Sequence, residues 1–170
     1  MNLCRSIADW HALRSAFAGH TLGLVPTMGA LHAGHLSLVQ RSQRENAATA
    51  VSIFVNPTQF DQADDLDRSQ RKTELDVALL RDAAVDAVFL PTHEEIYRDG
   101  YRYRVSESEL SRRLCGAHRP GHFDGVLTVV MKLLNIVQPT RVYFGEKDYQ
   151  QLLLVRGMTQ AFFMDVDVVA

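Results

Sequence analysis

The sequence predicts an α/β protein built on a doubly wound parallel sheet with helices on both faces. Short apolar and β-branched runs alternate along the chain with longer segments of helical composition. Such alternation is typical of parallel strands joined by helical crossovers. The chain has 170 residues, of which 46% are hydrophobic and 22% charged, and this suits one domain around a single core. No repeat or low-complexity linker divides it, so we expect one domain over residues 1–170.

The first third of the chain supplies two helices and two strands. Residues 6–17 place apolar side chains on one helical face and predict a helix. Residues 21–25 form a short apolar run that stops at Pro26, which predicts a buried strand. Residues 35–46 have helical composition. Residues 49–55 are β-branched and apolar, and they predict a strand.

The remaining segments continue the alternation. In order, we expect an exposed acidic loop at 61–69, a helix at 71–83, a strand at 87–90, a helix at 124–137, a strand at 141–144, a helix at 148–163 and a strand at 165–170. The helix at 124–137 is apolar nearly all round, which predicts burial on more than one side. This order of elements is that of a Rossmann-like sheet. Because the chain stops inside an apparent strand, we expect the natural protein to continue.

Charge and composition argue against several classes of protein. The formal net charge of −2 offers no basic surface for nucleic acid. No signal peptide is recognisable, and no run approaches the roughly 18 apolar residues that span a bilayer. Cys4 and Cys115 match no metal or redox spacing and are expected to be reduced thiols. We therefore expect a cytoplasmic protein that binds neither nucleic acid nor membrane.

Ligands of doubly wound sheets bind beyond the carboxyl ends of strands, where the strand order reverses. The segment at residues 26–35 follows the first core strand, contains Gly29 and Gly34, and leads into a helix. Backbone N–H groups at a helix start attract anions such as phosphate. The glycine spacing resembles a P-loop, but His35 stands where that motif requires lysine. There is also no G-x-G-x-x-G motif, so a nicotinamide or flavin site lacks its main support.

Two histidines, His32 and His35, lie at the mouth of this helix. A helix start disfavours a cationic imidazole, so both are expected to be neutral N–H donors. Such donors suit the charge that develops on a phosphate during in-line displacement. Two alternatives stay open: a zinc pair, for which no further ligands are obviously spaced, and a pair that only caps the helix, a task that Ser, Asp or Asn performs better.

A second unusual segment, residues 144–151, follows a later core strand. Glu146 and Asp148 at a helix start are explained by favourable interaction with the helix dipole. Lys147 has no such explanation, because a cation is unfavourable at the positive end of the helix dipole. A cation at this position is understandable if it faces a phosphate or a carboxylate.

Four blocks of the sequence resemble the signature blocks of the pantoate–β-alanine ligase family, in the same order. They are PTMGALHAGH at 26–35, VSIFVNPTQF at 51–60, RPGHF at 119–123 and FGEKD at 144–148. The run His32-Ala33-Gly34-His35 is similar to the HIGH motif of the wider nucleotidylyltransferase and class I tRNA synthetase superfamily.

The resemblance implies a two-step reaction. The pantoate carboxylate attacks the α-phosphorus of MgATP to give pantoyl adenylate and pyrophosphate, and the amine of β-alanine then displaces AMP. The implied catalytic residues are His32, His35 and Lys147, with His35 as the family's proposed proton donor. The implied nucleotide-binding residues are Met28, Gly29, Ala30, Leu31, His32, Ala33, Gly34, His35, Gly145, Glu146, Lys147 and Asp148.

The resemblance also implies the residues that hold the acid and the metal. Gln59 and Gln151 would hold pantoate, Gln59 also β-alanine, and Asn56 lies beside them. Neutral amides suit this task because they bind hydroxyl and carboxylate groups without titrating. Asp76 matches a family carboxylate linked to Mg²⁺, although the position is equally compatible with an exposed helix residue.

The chain departs from the family pattern in two places. Ser69-Gln70-Arg71-Lys72 stands where the family usually has Tyr-Pro-Arg-Thr, so the wall near the substrate is expected to differ. Family members also carry a smaller C-terminal lid domain, which is absent from these 170 residues. We expect residues 1–170 alone to bind nucleotide weakly and turn over little. The family is typically a homodimer.

Other functions compatible with the histidine pair stay open at this point. A nucleotidyltransferase acting on a phosphorylated substrate should carry more basic residues near Gln59 and Gln151. A tRNA synthetase fragment is disfavoured by the lack of a basic surface. A non-catalytic nucleotide sensor predicts that His35→Ala leaves cellular function unchanged.

Overall fold

The computed structural model describes the backbone of residues 1–56 and 66–170 and the side chains of residues 1–56 and 72–170. The described strands form one parallel sheet of six strands, in the order β1-β4-β3-β2-β5-β6. They are β1 (Asn2–Cys4), β2 (Leu22–Thr27), β3 (Ala48–Ile53), β4 (Ala87–Phe89), β5 (Arg141–Tyr143) and β6 (Asp167–Val169). The predicted α/β class with a parallel sheet is confirmed.

Helices cover both faces of this sheet. They are α1 (Ile7–Arg14), α2 (Ala33–Glu45), α3 (Leu66–Asp82), α4 (His93–Ile96), α5 (Cys115–His118), α6 (His122–Val137) and α7 (Tyr149–Ala161). Single 3-10 turns occur at Ser15–Phe17, Leu110–Arg112 and Glu146–Asp148. In the described part of the chain, no helix combines the length and the apolar character needed to cross a membrane.

Two hydrophobic cores lie on opposite faces of the sheet. One joins α1, α6 and α7 to the sheet and includes Trp10, Leu127 and Leu152. The other joins α2 and α3 to the opposite face and includes Val39 and Leu80. Both faces of the sheet are therefore buried, which explains why the central strands are almost continuously apolar in sequence.

The strand order reverses at β2, which places the candidate site. The chain runs from β2 to β3 on one side, whereas β5 pairs with β2 on the other side. The connections on the two sides of β2 lie on opposite faces of the sheet, so a crevice opens between the carboxyl ends of β2 and β5. Ligands of doubly wound sheets bind in such a crevice.

Several predicted boundaries are corrected by the structure. Strand β2 continues through Pro26 to Thr27. Its pairing with β5 stops at Leu24, so β2 has one partner at Pro26, and proline is tolerated at such an edge. Residues 66–69 belong to α3 and not to a loop. The prediction was wrong there because polar composition alone does not distinguish a helix turn from a loop. The rest of that predicted loop lies outside the described residues.

Three short elements have no counterpart in the prediction. Strand β1 pairs with β4 at the edge of the sheet. Helices α4 and α5 have four residues each. Elements of three or four residues contain little more than one period of side-chain alternation, so the sequence carries little signal for them.

Glycine at position 23 sets how closely α2 approaches the sheet. A Cβ atom there would lie 2.0 Å from the Oγ atom of Ser42 and 2.6 Å from the Nδ2 atom of Asn46. Both side chains belong to a polar cluster between α2 and the sheet, in which Ser42 bonds Thr49 at 2.8 Å and Asn46 donates to Tyr143 at 2.7 Å. A larger residue at position 23 would therefore break these bonds or push α2 outward.

We predict that Gly23→Ala destabilises the chain. Overpacking of this contact should lower the free energy of unfolding by about 1–3 kcal/mol, measured by urea denaturation of residues 1–170. The matched control is Gly157→Ala in α7, where a Cβ atom would meet nothing within 4 Å. This control should raise stability by about 0.5–1 kcal/mol, as Gly→Ala does within a helix. Equal effects of the two substitutions would contradict the prediction.

Candidate active site

A cleft of about 310 Å³ lies at the carboxyl ends of β2, β3 and β5. The strand ends form its floor. The start of α2 and the turn after β5 form one rim, and α6 forms one wall. The wall is apolar and consists of Val126, Val129, Val130 and Leu133. The cleft thus combines an apolar side with a rim that carries His32, His35 and Lys147.

The loop between β2 and α2 is held by a buried carboxylate. Asp76 of α3 is 5% exposed, and its two oxygens accept the backbone N–H groups of Ala30 and Leu31 at 2.7 and 2.8 Å. The loop needs this support because Gly29 and Ala30 both have left-handed backbone conformations, with φ of 84° and 52°. For Ala30 that conformation is costly. Asp76 therefore fixes the path of the chain into α2.

This environment corrects one expectation about Asp76. It is not an exposed helix residue, because its carboxylate is buried against the loop. Among residues 1–56 and 72–170, no group of three or more His, Cys, Asp and Glu side chains is arranged to hold a metal ion. The observed partners of Asp76 are backbone N–H groups, so its observed role is to anchor the loop.

The two histidines cap the start of α2. The Nδ1 atom of His32 accepts the N–H of Gly34 at 3.0 Å, and the Nδ1 atom of His35 accepts the N–H of His32 at 3.4 Å. The two rings lie 4.1 Å apart between centroids. A neutral imidazole whose Nδ1 accepts a hydrogen bond carries its proton on Nε2. Capping therefore makes both Nε2 atoms donors, and the capping and phosphate-binding alternatives are compatible.

The surroundings of His35 favour its neutral form. Burial lowers the pKa of His35 below its ordinary value, and the neighbouring His32 lowers it further. Asp76 opposes this shift, while the Lys147 ammonium adds to it. The net direction is downward, so His35 is a neutral donor at physiological pH. This agrees with the expectation from its place at a helix start.

Lys147 lies on the same rim of the cleft, in the part formed by the turn after β5. It belongs to the 3-10 turn Glu146–Asp148, which follows β5 and precedes α7. The lysine is exposed and lines the cleft together with Gly145 and Asp148. The sequence placed Lys147 at a helix start, and the structure places it in the turn just before that helix. Its charge acts on His35 across the crevice.

The structure separates the predicted nucleotide residues into two groups. Those that line the cleft are Met28, His32, Gly34, His35, Gly145, Lys147 and Asp148. Those that are not among its lining residues are Gly29, Ala30, Leu31, Ala33 and Glu146. Ala30 and Leu31 have their N–H groups bound to Asp76, so they shape the loop. The glycine at 34 keeps the rim close, because a Cβ atom there would lie 2.9 Å from the His32 ring.

The predicted acid-binding residues Asn56 and Gln151 line the same cleft. Asn56 is 1% exposed, donates to the carbonyl of Gly125 at 3.3 Å and accepts the hydroxyl of Tyr97 at 2.7 Å. Gln151 is half-buried on the first turn of α7. The third predicted acid ligand, Gln59, lies outside the described residues.

Sequence reasoning missed two supporting residues. Tyr97 reaches Asn56 from the end of α4, a helix too short to predict. Gln150 is buried and ties the segment before α5 to α7, donating to the carbonyls of Leu110 and Arg113 and accepting from the N–H of Cys115. Adjacent helical residues point about 100° apart, so of the Gln150-Gln151 pair only one can face the cleft.

Comparison with known proteins gives consistent results along the whole chain. The family profile described as pantoate-beta-alanine ligase matches residues 2–170. The pantothenate synthetase of Bdellovibrio bacteriovorus is 52% identical over 165 residues, covering 97% of this chain and 65% of that protein. The pantothenate synthetase of Legionella pneumophila (strain Corby) is 50% identical over 169 residues, covering 99% of this chain and 67% of that protein.

Solved structures give the same result. The pantoate-beta-alanine ligase from Francisella tularensis, complexed with beta-gamma ATP and beta-alanine, superposes with a TM-score of 0.94 at 41% identity, covering 100% of this chain and 66% of that one. The pantothenate synthetase from Thermus thermophilus gives a TM-score of 0.90 at 48% identity, covering 100% of this chain and 61% of that one. The chain thus spans about two thirds of the length of these relatives.

We predict that Asp76→Asn loosens the loop before α2. An amide offers one oxygen where the carboxylate offers two, so one of the two backbone N–H groups loses its acceptor. The free energy of unfolding should fall by about 1–3 kcal/mol, and the amide protons of Ala30 and Leu31 should exchange faster with solvent. The control is Glu74→Gln, an exposed carboxylate on the same helix. Unchanged amide exchange in Asp76→Asn would contradict the anchoring role.

We predict that His35 is the Nε2–H tautomer and titrates below its ordinary pKa of about 6.5. Nitrogen-15 chemical shifts of the ring should place the proton on Nε2 at neutral pH. Because folding lowers the pKa of His35, protonation favours the unfolded chain. The stabilisation by neutral His35 is complete above about pH 6.5 and is lost as the pH falls toward the folded pKa. A proton on Nδ1 at neutral pH would contradict the capping geometry.

Proposed function

The chain belongs to the pantoate–β-alanine ligase family, and on that premise we propose that the natural protein joins pantoate to β-alanine with ATP, yielding pantothenate, AMP and pyrophosphate. The observation that carries the proposal is a single cleft lined by phosphate donors on one rim and by neutral amides near its apolar wall. The donors are His32, His35 and Lys147, and the amides belong to Asn56 and Gln151. The Francisella relative was solved with beta-gamma ATP and beta-alanine, which supports both co-substrates.

The nucleotide end of the cleft suits a triphosphate. The start of α2 presents the positive end of the helix dipole, although the N–H of Gly34 is already bound by the His32 cap. The capping geometry leaves the Nε2–H groups of His32 and His35 as neutral donors, and Lys147 adds a positive charge. We propose that these three side chains contact the reacting phosphates, and that the phosphates lie against the loop that Asp76 holds.

The proposed chemistry has two displacements. A pantoate carboxylate oxygen attacks the α-phosphorus, a P–O bond forms, and the bond to the pyrophosphate oxygen breaks. The β-alanine nitrogen then attacks the acyl carbon, the bond to AMP breaks, and the amine proton is released. Fixed donors stabilise the charge that builds up on phosphate oxygens in the first step. Neutral histidines serve this purpose without needing to lose a proton first.

We propose that Mg²⁺ accompanies ATP. When bound, it would neutralise charge on the phosphates. Among the described residues, no group of three or more His, Cys, Asp and Glu side chains is arranged as a magnesium cage. Asp76, the carboxylate that the resemblance links to the metal ion, is bonded to two backbone N–H groups and would supply at most one ligand group. Mg²⁺ is commonly held by substrate phosphates with few protein ligands, and that arrangement is the one proposed here.

The acid end of the cleft favours a small hydroxy acid over a phosphorylated acceptor. Its described lining is apolar apart from neutral amides, and Lys147 is the one cationic side chain among the lining residues that the structure describes. Pantoate has an apolar branched carbon, hydroxyl groups and one carboxylate, which match this mixture. A phosphorylated acceptor would need more positive charge.

A homodimer is part of the same proposal, since the family resemblance implies it. Sedimentation velocity of the natural protein measures its oligomeric state directly.

The substrate assignment is tested by measuring pyrophosphate release by the natural full-length protein with ATP and a panel of short hydroxy acids. We expect release to depend on pantoate, and addition of β-alanine to yield pantothenate. The full-length protein is used because the relatives are longer than this chain. Release that depends on a phosphorylated acceptor, or no release with pantoate, would contradict the proposed function.

His35→Ala in the same assay should lower the rate by about a hundredfold or more, the usual loss for one transition-state donor. The control is His20→Ala, an exposed histidine at the opposite end of β2, which should leave the rate nearly unchanged. An unchanged rate in His35→Ala would favour a non-catalytic role for the histidine pair.

A further inference from the structure

The Asn56 amide is held between a tyrosine outside the cleft and a backbone carbonyl of α6. The Tyr97 hydroxyl donates to the Oδ1 atom of Asn56 at 2.7 Å, and the Nδ2 atom donates to the carbonyl of Gly125. An unrestrained amide can exchange its donor and acceptor ends by a flip. The Gly125 carbonyl can only accept, so the nitrogen end of the amide must face it, and the Tyr97 hydroxyl then donates to the oxygen end.

The ring of Tyr97 is itself held on several sides. It is 4% exposed and lies between aromatic neighbours, with ring centroids 5.0 Å from His93, 5.4 Å from Tyr101 and 6.1 Å from Phe54. Such contacts restrict the two side-chain torsions of the tyrosine. The hydroxyl oxygen of Tyr97 is therefore held in one place, within hydrogen-bond distance of Asn56.

A charged pair lies against the same ring. The ammonium of Lys132 is 4.9 Å from the Tyr97 ring centroid and donates to Asp99 at 2.6 Å and to the carbonyl of Ile96 at 3.0 Å. The side chains of Lys132 and Asp99 are 24% and 17% exposed. Asp99 also accepts the N–H of Tyr103. Hydrogen bonding from Lys132, helped by this backbone bond, lowers the pKa of Asp99 to about 2.

The position of Lys132 links this pair to the substrate wall. It lies on α6 among Val129, Val130 and Leu133, which line the cleft, but the lysine head turns to the segment after α4 instead. A cation near an aromatic ring is attracted to it, and its field strengthens the donation of the phenol hydroxyl. The same helix therefore carries the apolar wall and fixes the donor that orients Asn56.

We propose that Tyr97, Lys132 and Asp99 are positioning residues for the hydroxy acid, acting through the amide of Asn56. The proposal rests on the proposed function of the cleft. It assigns a specificity role to a charged pair that touches neither substrate. Asp99 holds Lys132, Lys132 holds and polarises Tyr97, and Tyr97 together with the Gly125 carbonyl keeps the Asn56 amide in one orientation toward the carboxylate and hydroxyl groups of the acid.

The test is steady-state kinetics of the full-length natural protein with Tyr97→Phe and Lys132→Met. Tyr97→Phe removes one oxygen and leaves the Asn56 acceptor without this donor, so KM for pantoate should rise about tenfold. KM for ATP should stay within about twofold, since the nucleotide rim is untouched. The control is Tyr103→Phe on the same segment, whose ring is 75% exposed. It should change neither constant.

A double variant separates positioning from general stabilisation. If Lys132 acts through the phenol, adding Lys132→Met to Tyr97→Phe should raise KM for pantoate no further. If the two side chains acted independently, the increases in KM for pantoate caused by the two substitutions would multiply. Equal rises in KM for both substrates would indicate a structural role and overturn the inference.

A readout without turnover completes the test. The nitrogen-15 side-chain amide signals of Asn56 should shift in Tyr97→Phe and in Lys132→Met but not in Tyr103→Phe. Unchanged signals in the first two variants overturn the inference whether or not the protein is active. Absence of pantoate-dependent turnover in the wild type contradicts the proposed function instead, so the two failures are distinguishable.

Discussion

The divergence of the chain on the two sides of β2 is the constraint on which the rest of the structure depends. Helix α2 leaves β2 on one face of the sheet, whereas α6 leads to β5 from the other face. The carboxyl ends of these two neighbouring strands therefore carry loops that separate. The start of α2, the turn with Lys147 and the wall of α6 all open into the crevice that results.

The histidines at the start of α2 combine two tasks that usually fall to different groups. A serine or aspartate cap accepts from backbone N–H groups and offers no ring N–H to a ligand. An imidazole has a second nitrogen, so the atom that accepts from the backbone determines that the other one donates outward. Burial and the proximity of His32 and Lys147 keep His35 neutral, although Asp76 acts in the opposite direction. The fold thereby presents two N–H donors whose tautomer is set by the capping bonds.

Local sequence patterns predicted most of the sheet and its longer helices, and they singled out the two segments that border the cleft, at 26–35 and 144–151. The amides of Asn56 and Gln151 were implied by the family resemblance. Alternation of buried strands and helices identified the α/β class, and unusual residues after two strands identified His32, His35 and Lys147. The misses have a shared physical cause. The bonds of Asp76 to the loop and of Tyr97 to Asn56 join residues 41 to 46 positions apart. Such contacts depend on how elements pack and leave no periodic signal in the sequence.

The anchoring of the loop by Asp76 has a thermodynamic consequence for how two bound ligands change each other's affinity. Asp76 belongs to α3, and the chain between β3 and α3 carries Gln59, the predicted acid ligand. A nucleotide that binds more tightly when the loop is bonded to Asp76 also stabilises the position of α3 in which those bonds form. By linkage, an acid that favours that position of α3 strengthens nucleotide binding by the same factor. One carboxylate can thus couple the affinities of two ligands.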